Sequence, residues 1–248
     1  MTDLVAAEFL KLRTTRTFWT IAGLSVLFVV VTTVAELASD LPDDEAGFSS
    51  LIAIAGIPAL FMLILGAVSS AGEYRHGTIT ATFLVAPDRT RVLLAKSLAH
   101  GLAGIALAIL SLLVILAIAL PWLNGDGESL GSLGVGGSEL LGDSAVQIAY
   151  VALTAMLAVG IGALLTNQVA ALAVVPVILI VIDPLLTLLV DGYGKYSISG
   201  IWASLGGESG DDAGFDILSP LPAGLLYFGY VAAITAVTAA IDQRRDVS

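Results

Sequence analysis

Acids and bases crowd one short stretch, residues 72–96 (GEYRHGTITATFLVAPDRTRVLLAK): Glu73, Arg75, His76, Asp88, Arg89, Arg91 and Lys96, set between two long apolar runs. Within it Ile79, Phe83 and Ala86 fall at i, i+4 and i+7, which gives a short helix one narrow apolar side. Gly72 and Gly77 permit tight turns before that helix, and Pro87 stops it. An apolar ridge ringed by both signs of charge suits a small docking surface with electrostatic specificity. The same residues also suit a loop lying in a membrane interface, with its arginines snorkelling to water. Glu73 has a base on a partner protein, or Arg91 or Lys96 of its own chain, as candidate ion-pair partners. Asp183 stands alone inside a second apolar run and is followed by Pro184. An ionisable group in such a place is a functional candidate, a proton relay or a path-lining acid. A polar group at a proline-broken helix is the structural alternative.

Other chemistries find no residues. Cysteine is absent, so disulfides, thiolate metal sites and cysteine nucleophiles are excluded. His76 and His100 have no metal-ligand spacing and read as an exposed loop residue and an interfacial helix residue. The serines of Ser-Ile-Ser-Gly (197–200) lie in a loop far from His100 in the expected topology, which argues against a serine nucleophile. The glycine-rich 121–143 loop contains no lysine and lacks the G-x-x-x-x-G-K-[ST] order of a phosphate-binding loop. With a net charge of −11 there is no basic face to track phosphates, so nucleic acid is not an expected partner.

The elements that must position these residues are apolar helices. The 248-residue chain is 57% hydrophobic and 12% charged. That is too little charge to cover a water-facing surface, so lipid must replace water over most of it. The hydrophobic runs predict an all-α membrane protein, one domain over 1–248, with six spans at 17–37, 50–71, 89–120, 144–165, 169–190 and 220–241. Residues 1–16 read as an amphipathic helix lying in the interface, capped by Thr2 or Asp3, with Val5, Phe9 and Leu12 on one side and Lys11, Arg13 and Arg16 snorkelling. A plain lead-in to the first span is the alternative. The 17–37 run is too long for a signal-peptide core, and no A-x-A pattern follows it. Pro58 is expected to kink span two. Asp88 is expected to cap a third helix that, at about 48 Å for residues 89–120, outruns a hydrocarbon core of about 30 Å. Arg89, Lys96 and His100 then share its protruding face. Ser219 and Pro220 predict the start of the last span.

Sidedness follows from the bases. The N-terminal segment has Lys11, Arg13 and Arg16, the 72–96 stretch has Arg75, Arg89, Arg91 and Lys96, and the tail has Arg244 and Arg245; only Lys195 falls on the other face. The positive-inside rule puts both termini and the charged stretch in the cytoplasm. The acidic loops, with Asp40, Asp43, Asp44 and Glu45 in the first and Glu208, Asp211, Asp212 and Asp216 in the last, then face outward. The expected location is the plasma membrane of a prokaryote.

Three stretches carry a family resemblance: EFLKLRTTRTFW near the N-terminus, EYRHGTITATFLVAPDRTRVLLAK, and NQVAALAVVPVILIVIDPLL. Together they resemble the permease subunit of the type-2 ATP-binding-cassette (ABC) exporter family. The second is the most specific, with Glu73, Gly77, Thr78, Pro87, Arg91 and Lys96 at the matching positions. Asp183 stands where glutamate is commoner. The resemblance implies six spans, action as a pair with a second copy or a sister permease, and a cytoplasmic coupling helix between spans two and three. That helix would seat in a separate ATP-binding subunit, which holds ATP and Mg. The implied coupling residues are Glu73, Tyr74, Arg75, Gly77, Thr78, Ile79, Phe83, Pro87 and Arg91. This chain would not itself be an enzyme, and would move a drug, peptide or lipid outward. A proton- or ion-coupled secondary transporter using Asp183 is the rival expectation.

Overall fold

A computed structural model describes residues 1–39, 42–206 and 213–244. Asp40, Glu208, Asp211, Asp212 and Arg245 lie outside the described residues. Among those described, every regular element is helical. The order is α1 (Thr2–Thr14), α2 (Arg16–Ser39), α3 (Glu45–Ala53), α4 (Pro58–Arg75), α5 (Thr78–Val85), α6 (Arg89–Gly125), α7 (Gly137–Leu165), α8 (Gln168–Val177), α9 (Asp183–Leu189), α10 (Ile198–Leu205) and α11 (Pro220–Asp242). Among the described residues five segments are long and apolar enough to cross a membrane: Arg16–Ser39, Glu45–Arg75, Arg89–Gly125, Gly137–Leu165 and Pro220–Asp242. The chain is thus an all-α, multi-pass membrane protein by the length and composition of its helices. The expected fifth span, 169–190, is helical but not uniform. A π segment, Ile178–Ile182, separates α8 from α9.

Helix α7 is the central post, packed against α4, α6 and α11. Small residues let these helices approach. A Cβ on Gly162 would stand 2.4 Å from the Ala67 carbonyl oxygen of α4, and one on Gly66 would stand 2.7 Å from the Ala158 Cβ of α7. Close approach of this kind is how helices gain packing where the surrounding lipid is as apolar as they are.

Several boundaries follow their local chemistry. Asp88 accepts from the Arg91 N–H and caps α6, as expected. Before Pro58, where a kink is expected, the chain tightens into a 3₁₀ turn, Ile54–Gly56. Other boundaries differ from expectation. Met1, not Thr2 or Asp3, holds the N-cap of α1, without a side-chain bond. Ser219 occupies the N-cap of α11, but its hydroxyl makes no capping bond. Helix α6 runs past 120 and through Pro121 to Gly125. A proline removes one ladder bond, but Leu123 beyond it is fully buried with Leu133 and Phe48, and that packing holds the last turn. Helix α7 begins seven residues before the expected 144, so the glycine-rich loop is shorter than its composition suggested.

Candidate functional site

The charged stretch is rooted in a closed ring of ion pairs that joins three helices. Glu8 and Lys11 come from α1, Glu73 from the end of α4, and Lys96 from the second turn of α6. Lys96 Nζ lies 2.7 Å from Glu8 Oε2 and 2.8 Å from Glu73 Oε1. Lys11 Nζ lies 2.5 Å from Glu8 Oε1 and 3.1 Å from Glu73 Oε1. The side chains of Lys96 and Glu8 are only 5% and 6% exposed. Burial of this degree penalises each charge by several kcal/mol, and it is tolerated because every charge has two opposite neighbours. Burial alone would push the Glu8 carboxyl up, but the Lys96 and Lys11 ammonium groups outweigh it and hold the group below its ordinary 4.5. Burial would pull Lys11 down, but its bond to Glu8 and the charge of Glu73 carry it above its ordinary 10.5.

One turn further along α6, His100 is buried. Its Nδ1 lies 2.9 Å from the Lys96 carbonyl, and its Nε2 lies 3.1 Å from Ser69 Oγ of α4. A carbonyl only accepts, so Nδ1 carries a proton. His100 is therefore a core residue that ties α6 to α4, not the interfacial residue expected. The ring and His100 border a cavity of about 570 Å³ between α1, α4, α5 and α6.

The sequence-derived coupling residues divide between this root and the short helix beyond it. Glu73 pairs with Lys96, one of its two expected internal partners. Arg91 instead binds Asp88 at 2.9 Å, three residues back on its own helix and exposed. Glu73 Oε1 takes both lysines, while Oε2 is buried without a hydrogen-bond partner. Tyr74 donates to Asp242 Oδ2 at 2.6 Å, and Arg89 donates to the Asp242 carbonyl, so the end of α11 is tied to the same region. Arg75 reaches Gln168 at 3.3 Å. Gly77 is left-handed, with φ +66°, and starts α5. The Thr78 hydroxyl lies 3.4 Å from the Glu73 carbonyl, and Pro87 is exposed just past the end of α5.

The expected docking ridge faces the other way. Ile79 is buried, and Phe83 lies half-buried beneath the Arg89 guanidinium, 5.0 Å from the ring centroid. These residues pack α5 onto α6. What α5 exposes is Leu84, 83% accessible, and Val85, 87% accessible. The i, i+4 periodicity found an apolar side correctly, but in a helix of two turns both sides carry apolar residues, and the longer ridge covers the chain's own helix.

Glu8 was missed altogether. Helix α1 was expected to turn Val5, Phe9 and Leu12 to one side; Glu8 and Leu12 are buried instead, and Phe9 is exposed. The signal was present: Glu8 lies three residues after Val5 and four before Leu12, a carboxylate inside the apolar stripe.

Asp183 forms a second polar site, separate from the ring. It is 3% exposed, at the start of α9. Its Oδ1 accepts from the Tyr193 hydroxyl at 3.0 Å and the Ile198 N–H at 3.2 Å. Its Oδ2 accepts from the Ser199 N–H at 2.9 Å and the Ser199 hydroxyl at 2.6 Å. The first N–H groups of α10 thus point at the carboxylate, as helix N-termini favour anions. Burial, and then the bond to Asp183, pushes the Tyr193 phenol up to about 12. Among the described residues no cluster of acids and histidines could hold a metal ion.

No family model matches the chain, and no curated protein matches it.

Proposed function

We propose that this chain is the membrane-spanning permease subunit of an ABC exporter, working with a separate ATP-hydrolysing protein. The observation that carries the reading is α5: an eight-residue helix between two long apolar helices, anchored by its own buried side and presenting Leu84 and Val85 outward. Exposed Arg75, Asp88 and Arg91 stand around it. That is a small apolar contact with a charged rim, the form of a docking surface. On this reading the N- and C-termini and α5 lie on the cytoplasmic side, where nearly all the basic residues gather. The fifth expected span, 169–190, completes the six crossings despite its π segment. ATP and Mg belong to the partner subunit, and a second permease, copy or sister, completes the pathway in the bilayer. The ion-pair ring would transmit movement of α5 to α1 and α6.

The rival reading, a secondary transporter with Asp183 as relay, is less favoured. An ionised carboxylate has about four acceptor positions, and Asp183 has four donors on it. The arrangement suits a fixed anion that organises α9 and α10.

Co-expression with an ATPase encoded beside this gene tests the proposal. The double substitution Leu84→Asp, Val85→Asp is expected to abolish co-purification while membrane insertion is kept. Glu73→Ala is expected to uncouple ATP hydrolysis from transport. Retained assembly and coupled transport in both variants would refute the docking role.

A further inference from the structure

A second cavity, of about 420 Å³, lies between α4, α7, α8, α11 and the π segment. Its deep wall includes Leu63, Leu157 and Val175, all nearly buried, while Leu60, Ile178 and Trp202 stand exposed at its edge. On α7 it is lined from Tyr150 to Leu165, a run of about 22 Å at 1.5 Å per residue. Spread over that length, the volume averages roughly 20 Å² in section, a slot rather than a chamber.

The chemistry of the walls is as informative as the shape. The carboxylate and the threonine that touch the slot already have partners. Asp183 carries its four donors. Thr154 donates to the Tyr150 carbonyl, so Tyr227 donates to Thr154 at 2.8 Å. Tyr150 is stacked between Trp202 and Tyr227 and presents ring surface. Among the described residues a ligand here finds no free charge. Most drug-like sites keep a few such groups to fix orientation. An unfilled apolar slot would forgo the dispersion contacts of its lining, and the bilayer supplies long apolar chains at its edge.

We propose that this slot binds one acyl chain of a membrane lipid, threaded between α7 and the α8–π–α9 helix. The π segment is part of the fit, because Ile178 and Leu179 line the slot where that helix departs from regular α geometry. The proposal needs only a membrane location and does not depend on ATP-driven export.

The test reconstitutes the full chain in bilayers containing phosphatidylcholine with a photoreactive diazirine on its acyl chain. Illumination and peptide mapping then locate the adducts. Adducts are expected on Leu63, Leu157 and Val175, in addition to general lipid labelling of exposed Leu188 and Leu189. Two variants that fill the slot from different walls, Ile161→Phe and Leu179→Trp, are expected to lose the slot adducts and keep those on Leu188 and Leu189. Thermal unfolding identifies any variant that fails to fold. Absence of slot adducts in the wild-type chain, or their persistence in the folded filled variants, overturns the proposal.

Discussion

The two buried polar sites neutralise charge in different ways. In the ring, Glu8 and Glu73 are met by the formal charges of Lys11 and Lys96, drawn from helices up to 88 residues apart in the chain. At Asp183 the acid is met only by hydroxyls and backbone N–H groups, all within 16 residues. The ring therefore fixes tertiary structure, holding α1 to α4 and α6. The Asp183 site fixes a local turn, holding the start of α9 against the start of α10. A ring of long side chains can exchange partners as helices move, whereas a carboxylate seated on a helix N-terminus has one geometry.

That contrast can be broken most sharply at Glu8. Replacing it with alanine leaves Lys96 with Glu73 alone and removes the bond between α1 and α6. The expected loss is about 3–5 kcal/mol, the range for removing one partner of a buried pair, read as a lower midpoint of unfolding and early proteolysis within α1. If Glu8→Ala is as stable as wild type, the ring does not hold α1. Asp183→Ala comes next. It strands the Ile198 and Ser199 N–H groups, with an expected loss of about 1–3 kcal/mol and disorder confined to α9 and α10, visible by hydrogen exchange. A pH-dependent transport defect in Asp183→Asn, without that local loosening, would turn the comparison over and favour a relay. Smaller still is Arg91→Ala. Its exposed pair with Asp88 is expected to contribute about 0–1 kcal/mol or less to stability, so any loss of ATPase coupling there reports docking.

The pH dependence of α1 sharpens the same contrast. Glu8 has its carboxyl held low, so its share of stability is present above 4.5 and lost as pH falls through the lowered value. Lys11 is held high, so its share is present below 10.5 and lost as pH rises through the raised value. Hydrogen exchange in α1 is expected to show a plateau of protection between those limits. A steep change near neutrality would contradict the ring.

The long apolar helices were legible because length and hydropathy alone distinguish a spanning helix from a water-facing one. The Asp88 cap and the Pro58 break were legible because the chemistry is local. The end of α6 was not, because Leu123 is held by residues of α3 and the following loop that no local rule connects to it. The orientation of α5 was not, because periodicity finds an apolar side without saying what covers it. Glu8 could have been found: an acid in an apolar stripe requires a base nearby, and Lys96, also set in an apolar run, was the available one. The partnership of Asp183 with α10 was obscured because Ile198–Leu205 is too short to register as a span and so read as loop.

The π segment between α8 and α9 has a genetic consequence. Each residue of an α-helix turns its successors by about 100°. A π turn accommodates one extra residue within an otherwise α-helical run. Deleting a single residue from Ile178–Ile182 would let the run close into continuous α-helix. Because the π turn had absorbed that residue, Asp183 would keep nearly its direction toward the Ile198 and Ser199 N–H groups. This stretch should therefore survive the loss of one residue with the Asp183 site intact, whereas a one-residue deletion within α7 would turn everything beyond it by about 100°.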